Sequence, residues 1–193
     1  VKPGPPVLVQ DIQLELKGPG SGLESLKNWR AAFPLAVGQV LDQPAWDKAK
    51  LDVILLLEET GYLQAEFSRH VIRVDPVANT ARLELILDTG SQAVMGKVTF
   101  KQDILSDSVL DSLQRFRPGD AYNNWLLEKF RLDLWRSGYF EDIEVIERRE
   151  LTAIPPRVDL EVNFTPRKKN TYQGTVGFGT DTLIRIQRSE EHT

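Results

Sequence analysis

The sequence predicts an α+β chain made of two consecutive β-α-α-β-β units, each a three-stranded sheet carrying two helices on one face. Three observations carry that prediction. Apolar periodicity alternates between the spacing of strands and that of helices in the same order twice. Gly61-Tyr62-Leu63 returns as Gly138-Tyr139-Phe140, and at the same offset Leu83, Leu85 and Leu87 return as Leu160, Val162 and Phe164.

The first unit opens with a strand over 7–16, the loop Gly18-Pro19-Gly20-Ser21-Gly22 and a helix over 23–33. A Pro34-to-Gly38 break separates this helix from a longer one over 43–60, in which Trp46, Ala49, Val53, Leu56, Leu57 and Thr60 recur at helical spacing. Asp42 suits the N-cap of that helix, and Pro44 is tolerated in its first turn. Strands over 64–74 and 81–87 close the unit. The second unit repeats the order: strand 94–100, helix 108–116, a break at Pro118-Gly119, helix 124–137, and strands 142–147 and 158–164. Leu126, Leu127, Phe130, Leu134 and Trp135 form its second helical stripe, while Val158, Leu160, Val162 and Phe164 alternate with polar residues as in a sheet buried on one face.

Glycines punctuate both copies. Gly38 precedes Leu41 by three residues, as Gly119 precedes Tyr122, at an offset four residues larger than that of the Gly-Tyr pairs. Four residues are about one helical turn, so the first unit's second helix can be longer and still point its apolar face the same way. Gly61 and Gly138 stand just past helix ends, where a left-handed residue satisfies the last carbonyls without steric penalty, and Tyr62 and Tyr139 can fold back on the helix.

Composition narrows the function. The 193 residues carry a formal net charge of -4 and are 41% hydrophobic, which argues against a basic field for nucleic acid. Cysteine is absent and histidine occurs twice, at His70 and His192, so the sequence suggests neither thiol chemistry nor a metal cage, and no metal or cofactor is expected. The longest apolar run, 53–57, is far short of the roughly 20 residues of a spanning helix. The N-terminus lacks a signal-peptide core, so an export signal would have been removed or lie upstream.

Two such units, each with a Gly-x-x-aromatic or aliphatic step before helix two and a Gly-Tyr step after it, resemble polypeptide-transport-associated (POTRA) domains of the Omp85 superfamily. The stretch Asn170-Thr171-Tyr172-Gln173-Gly174-Thr175-Val176-Gly177-Phe178-Gly179 resembles the first strand of an Omp85 barrel, most closely in the TamA-like branch. The resemblance implies a POTRA domain over 1–90, the second of three, and a barrel-proximal third over 91–166. Residues 167–193 would be a linker and the start of the barrel. Leu183 departs from the usual Gly, and 189–193 does not read as barrel strand. The resemblance further implies a non-enzymatic, protein-binding scaffold on the periplasmic face of a Gram-negative outer membrane. Its partners would be nascent outer-membrane proteins or autotransporters, an inner-membrane-anchored TamB-like protein and its own C-terminal β-barrel, with no nucleic acid. A BamA-like assembly subunit is the alternative within the superfamily, favoured if five domains rather than three stand upstream of the barrel.

An exposed sheet edge presents unpaired N–H and C=O groups to an incoming strand. By resemblance the second strand of each unit is such an edge, giving the strips Phe67, Arg69, Val71 and Arg73, and Ile143, Val145 and Glu147. With His70 the first strip reads as basic, whereas Glu141, Asp142, Glu144 and Glu147 make the second acidic. The plainer reading is that edge charges prevent aggregation. Glu58-Glu59 and Glu141-Asp142 lack any catalytic constellation and read as surface, as does Gly18–Gly22 as a turn. Arg167-Lys168-Lys169 reads as a linker or a lipid-headgroup contact. The tryptophans read mostly as core. An RNA-binding KH module also begins β-α-α-β, but neither junction between helices has the Gly-x-x-Gly that it needs. A small hydrolase lacks a nucleophile motif.

Overall fold

The computed structural model describes residues 4–101, 106–138, 140–166, 174–175 and 187–188. In the first unit β1 (Leu8–Lys17) leads through a 3-10 turn (Pro19–Gly22) to α1 (Glu24–Ala31), α2 (Gln43–Glu59), β2 (Glu66–Asp75) and β3 (Thr80–Asp88). The second holds β4 (Val94–Lys101), α3 (Asp107–Leu113), α4 (Asn124–Arg136), β5 (Phe140–Glu150) and β6 (Arg157–Pro166). Each sheet is mixed. β3 lies between β1 (parallel) and β2 (antiparallel), and β6 lies likewise between β4 and β5. A parallel pair needs a long crossover, which the two helices supply; the hairpin supplies the antiparallel pair. The fold is thus α+β, two tandem β-α-α-β-β units of the POTRA type.

Each unit has its own core. Val9, Leu26, Trp46, Val53, Leu57, Leu83, Leu85 and Leu87 form the first; Met95, Phe116, Leu127, Phe130, Leu134, Val158, Leu160 and Val162 form the second. A fully buried Leu or Val side chain contributes about 1.5–3 kcal/mol by leaving water. Asp42 accepts a hydrogen bond from the Ala45 N–H at 3.0 Å and Asn123 one from the Trp125 N–H at 2.8 Å, capping α2 and α4.

The glycine steps between the helices have a shared physical reason. In the first unit the Gly38 N–H donates to the Val9 carbonyl, Val9 N–H to Gln39, and Leu41 N–H to Val7, each at 2.8 Å. In the second, Gly119 N–H donates to Met95 at 2.8 Å, Met95 N–H to Asp120 at 2.7 Å, and Tyr122 N–H to Ala93 at 2.8 Å. Both glycines have positive φ, 87° and 97°, which lets the loop fold onto the beginning of the first strand as a short antiparallel bridge.

The expectation that the tryptophans are mostly core holds for Trp46, which is buried, and Trp29, which is half-buried. It is wrong for Trp125 and Trp135, 64% and 68% exposed, because both lie on the side of α4 turned away from Leu127, Phe130 and Leu134. Tyr139 and most of 171–186 lie outside the described residues; Gly174–Thr175 pairs antiparallel with Gln187–Arg188.

The two units meet at the end of α2. Gly61, at φ 93°, closes the helix: its N–H donates to the Glu58 carbonyl at 3.1 Å and the Tyr62 N–H to Leu57 at 2.8 Å, the paired bonds of a left-handed C-cap. Tyr62 then packs into the first core, its ring over Gly20. The Gly61 carbonyl accepts from the Ala93 N–H at 2.8 Å, the Gln92 side chain donates to the Thr60 carbonyl at 3.0 Å, and Leu63 packs into the second core. The linker is itself held. Thr89 is buried, its hydroxyl accepting from the Gly20 N–H at 3.0 Å and donating to the Gly90 carbonyl at 3.1 Å.

The repeated glycines at the helix ends therefore differ in what surrounds them. A Cβ on Gly61 would stand 2.3 Å from the Tyr122 carbonyl oxygen, whereas one on Gly138 (φ 74°) would meet nothing within 4 Å. We expect Gly138→Ala to destabilise by about 1 kcal/mol, the left-handed backbone penalty alone. Gly61→Ala should lose at least about twice that, as read from urea unfolding midpoints.

Candidate functional site

The four sheet edges are not equivalent. β1 and β4 are bridged at their beginnings by the loops between the helices, Leu8 to Val40 and Val94 to Ala121. β2 and, over 142–150, β5 pair on one side only among the described residues.

Register decides which side chains an incoming strand would meet. In β2 a bulge falls between Phe67 and Arg69. It divides the predicted strip. Phe67 lies opposite Leu87 on the helix side, packed on the first core and edge-on to His70 at 5.6 Å. Arg69, Val71 and Arg73 lie opposite Ile86, Glu84 and Arg82 on the outer face of the sheet. An extra residue reverses the alternation that strict period-two counting assumes. The basic character is also reduced, because Arg69 (2.9 Å) and Arg73 (3.7 Å) both reach Glu84.

In β5 the bulge lies earlier, between Phe140 and Asp142, so Ile143, Val145 and Glu147 share one face, opposite Phe164, Val162 and Leu160. That face turns toward α4. Between α4 and β5 runs a groove of about 510 Å³. Leu132 (42% exposed) and Trp135 form its outer wall, and Ile143 and Val145 its sheet side. Glu128, Arg131 and Glu144 supply the charges. Arg131 spans the groove: its guanidinium lies 2.6 Å from Glu128 and 3.4 Å from both Glu147 and the Val145 carbonyl of the edge strand. The expected acidity of this strip is thus partly neutralised, since Glu147 also pairs with Arg149 at 3.0 Å.

The helix walls escaped the sequence reading. Trp125, Leu132 and Trp135 are spaced i, i+7 and i+10, on one side of α4, and that spacing was the available signal. Counting back from Gly138 to Gly61 carries Glu128, Arg131, Leu132 and Trp135 onto Leu51, Ile54, Leu55 and Glu58 of α2. Leu51 and Leu55 are 58% and 48% exposed, so α2 also presents apolar side chains at the corresponding positions, without the arginine or the tryptophan. Among the described residues no cluster of His, Cys, Asp and Glu could hold a metal, and no helix is long and apolar enough to cross a membrane.

Tyr122, a buried residue, donates from its hydroxyl to Glu147 at 3.3 Å. Burial first, and then the Glu147 charge, push its pKa from 10.0 up to about 12. Burial opposes the charge on Arg149, but the hydrogen bond and charge of Glu147, then Tyr122 and Glu58 of the first unit, hold it above its ordinary value.

Residues 93–167 match the POTRA family, described as Surface antigen variable number repeat. Among solved structures, the chain is similar to POTRA domains 3–5 of BamA from Haemophilus influenzae. That match has 21% identity and a TM-score of 0.53, covering 82% of this chain and 61% of that one. It is also similar to BamA from Haemophilus ducreyi lacking POTRA domains 1–3, at 18% identity and a TM-score of 0.54, covering 84% of this chain and 30% of that one. The chain therefore spans about three fifths of the first and under a third of the second, and the likeness shows the shared fold.

The raised Tyr122 value links to stability with a definite sign. A phenol held neutral in the fold leaves stability intact below its unfolded value near pH 10, and that stability is lost as pH rises through about 12. Tyr122→Phe should flatten the decline between those values, measured by urea unfolding at stepped pH.

Proposed function

We propose that the two units are a non-enzymatic docking scaffold for extended polypeptides, working by strand addition at β5 and β2 on the periplasmic side of an outer-membrane assembly or translocation protein. The observation that carries this reading is the coincidence, in the second unit, of an edge strand that, over 142–150, pairs on one side among the described residues, with an adjoining apolar groove walled by Leu132 and Trp135. Edge backbone gives a visiting strand its hydrogen bonds with little sequence demand, and the groove takes its alternate apolar side chains. The match of 93–167 to the POTRA family supports the same reading.

Within that reading the order of the motifs favours a TamA-like protein, with these units as the second and third POTRA domains, their own barrel following and a TamB-like protein as inner-membrane partner. A BamA-like assembly subunit fits the fold equally. The number of domains upstream of the barrel in the complete protein separates the two, three against five.

The docking reading is tested by fluorescence anisotropy with a labelled peptide of about 10 residues alternating apolar and polar side chains, matched to the length of a strand. Leu132 and Trp135 are exposed, so Leu132→Glu with Trp135→Glu leaves the core intact. The pair should weaken peptide binding to the second unit by about tenfold or more, about 1.4 kcal/mol. Unchanged affinity would remove the groove from the reading.

A further inference from the structure

We infer that the two edge strands, with their helix walls, form one continuous track that takes a single extended polypeptide across both units; this rests on the docking reading above. Contacts in two layers bring the elements into line. In the helix layer the end of α2 meets the entry to α4, where the Gly61 carbonyl accepts from Ala93 and the Tyr122 carbonyl lies against the bare Gly61 Cα. In the strand layer the Gln64 side chain, two residues before β2, donates to the Leu151 carbonyl, one residue after β5, at 2.9 Å. Between these layers the charge of Glu58, on the α2 wall, acts on Arg149 of β5.

Helix wall therefore adjoins helix wall, and edge strand adjoins edge strand. The polarity also agrees. The end of β5 meets the beginning of β2, so a visitor antiparallel to β2 leaves it at Glu66 and is delivered to Glu150, where it is antiparallel to β5. No reversal is required. The charged groups at the crossing are Glu58, Glu147 and Arg149; Arg149 pairs with Glu147 at 3.0 Å and also feels the charge of Glu58. The occupant that fits is a single strand of alternating apolar and polar residues, its apolar side chains toward Leu51 and Leu55 in one unit and Leu132 and Trp135 in the other. β2 and residues 142–150 of β5 together offer about 20 residues of edge, roughly 65 Å at the rise of a strand.

The experiment compares the labelled 10-residue peptide with one of about 24 residues carrying two copies of the same pattern, long enough to cover both strands and the joint. The short peptide should bind two per chain. The long peptide should bind one per chain and roughly 100-fold tighter, because its second half docks at high effective concentration. Leu51→Glu with Leu55→Glu, outside both cores, should leave one short peptide bound per chain and abolish the gain of the long one. A long peptide that binds no tighter than the short, or two per chain, overturns the track and leaves single-edge docking standing. A short peptide that does not bind overturns the docking reading and the track together.

Discussion

The geometry of Gly61 governs the relation between the units. To end α2 the chain has to turn left-handed there, and in that conformation the carbonyl points at Ala93 while the absence of a side chain admits the Tyr122 backbone. Terminating the helix and docking the next unit are one event. Leu63, immediately downstream, is already part of the second core, so neither unit's packing is complete without this turn. A short linker could have left the units free to swing; a shared helix cap restrains them.

The second copy keeps the scaffold and changes the surface beside the edge strand. Backbone contacts repeat from unit to unit, as in the loop that folds Gly38 onto Val9 and Gly119 onto Met95. Side chains beside the edges do not. Where α2 presents Ile54, Leu55 and Glu58, α4 presents Arg131, Leu132 and Trp135. Main-chain bonds tolerate many sequences, whereas groove walls set what the neighbouring backbone can accommodate. The two copies thus share the contacts that fold the unit and differ in the side chains beside the edge strand.

The architecture was legible because the signals that encode it are local. Alternation in 158–164, the stripe Trp46, Ala49, Val53 and Leu57, and glycines past helix ends each follow from one element's own geometry. The candidate site was only half legible. Strict alternation placed Phe67 with Arg69, and a single bulged residue separated them, something that period-two counting cannot register. Trp135 joined the core stripe on paper because it follows Leu134, yet α4 turns it outward beside β5. The same limit hides Gly96. Its reason lies in Asp159, 63 residues on, whose carboxylate accepts from the Lys97 N–H at 3.0 Å and would lie 1.8 Å from a Cβ at Gly96.

The loops folded onto β1 and β4 bear on how copies of this protein can meet. Had both rims of each sheet been bare, the β2 side of one molecule could have joined the β1 side of the next, a head-to-tail contact that repeats without end and builds fibres. Bridging at Val40 and Ala121 obstructs that second rim at its start. Within a single unit what remains is like against like, β2 on β2 or β5 on β5, a two-fold contact that uses up that rim in one step. The route to a fibre through one kind of sheet, its two opposite rims joined from molecule to molecule, is obstructed in this way.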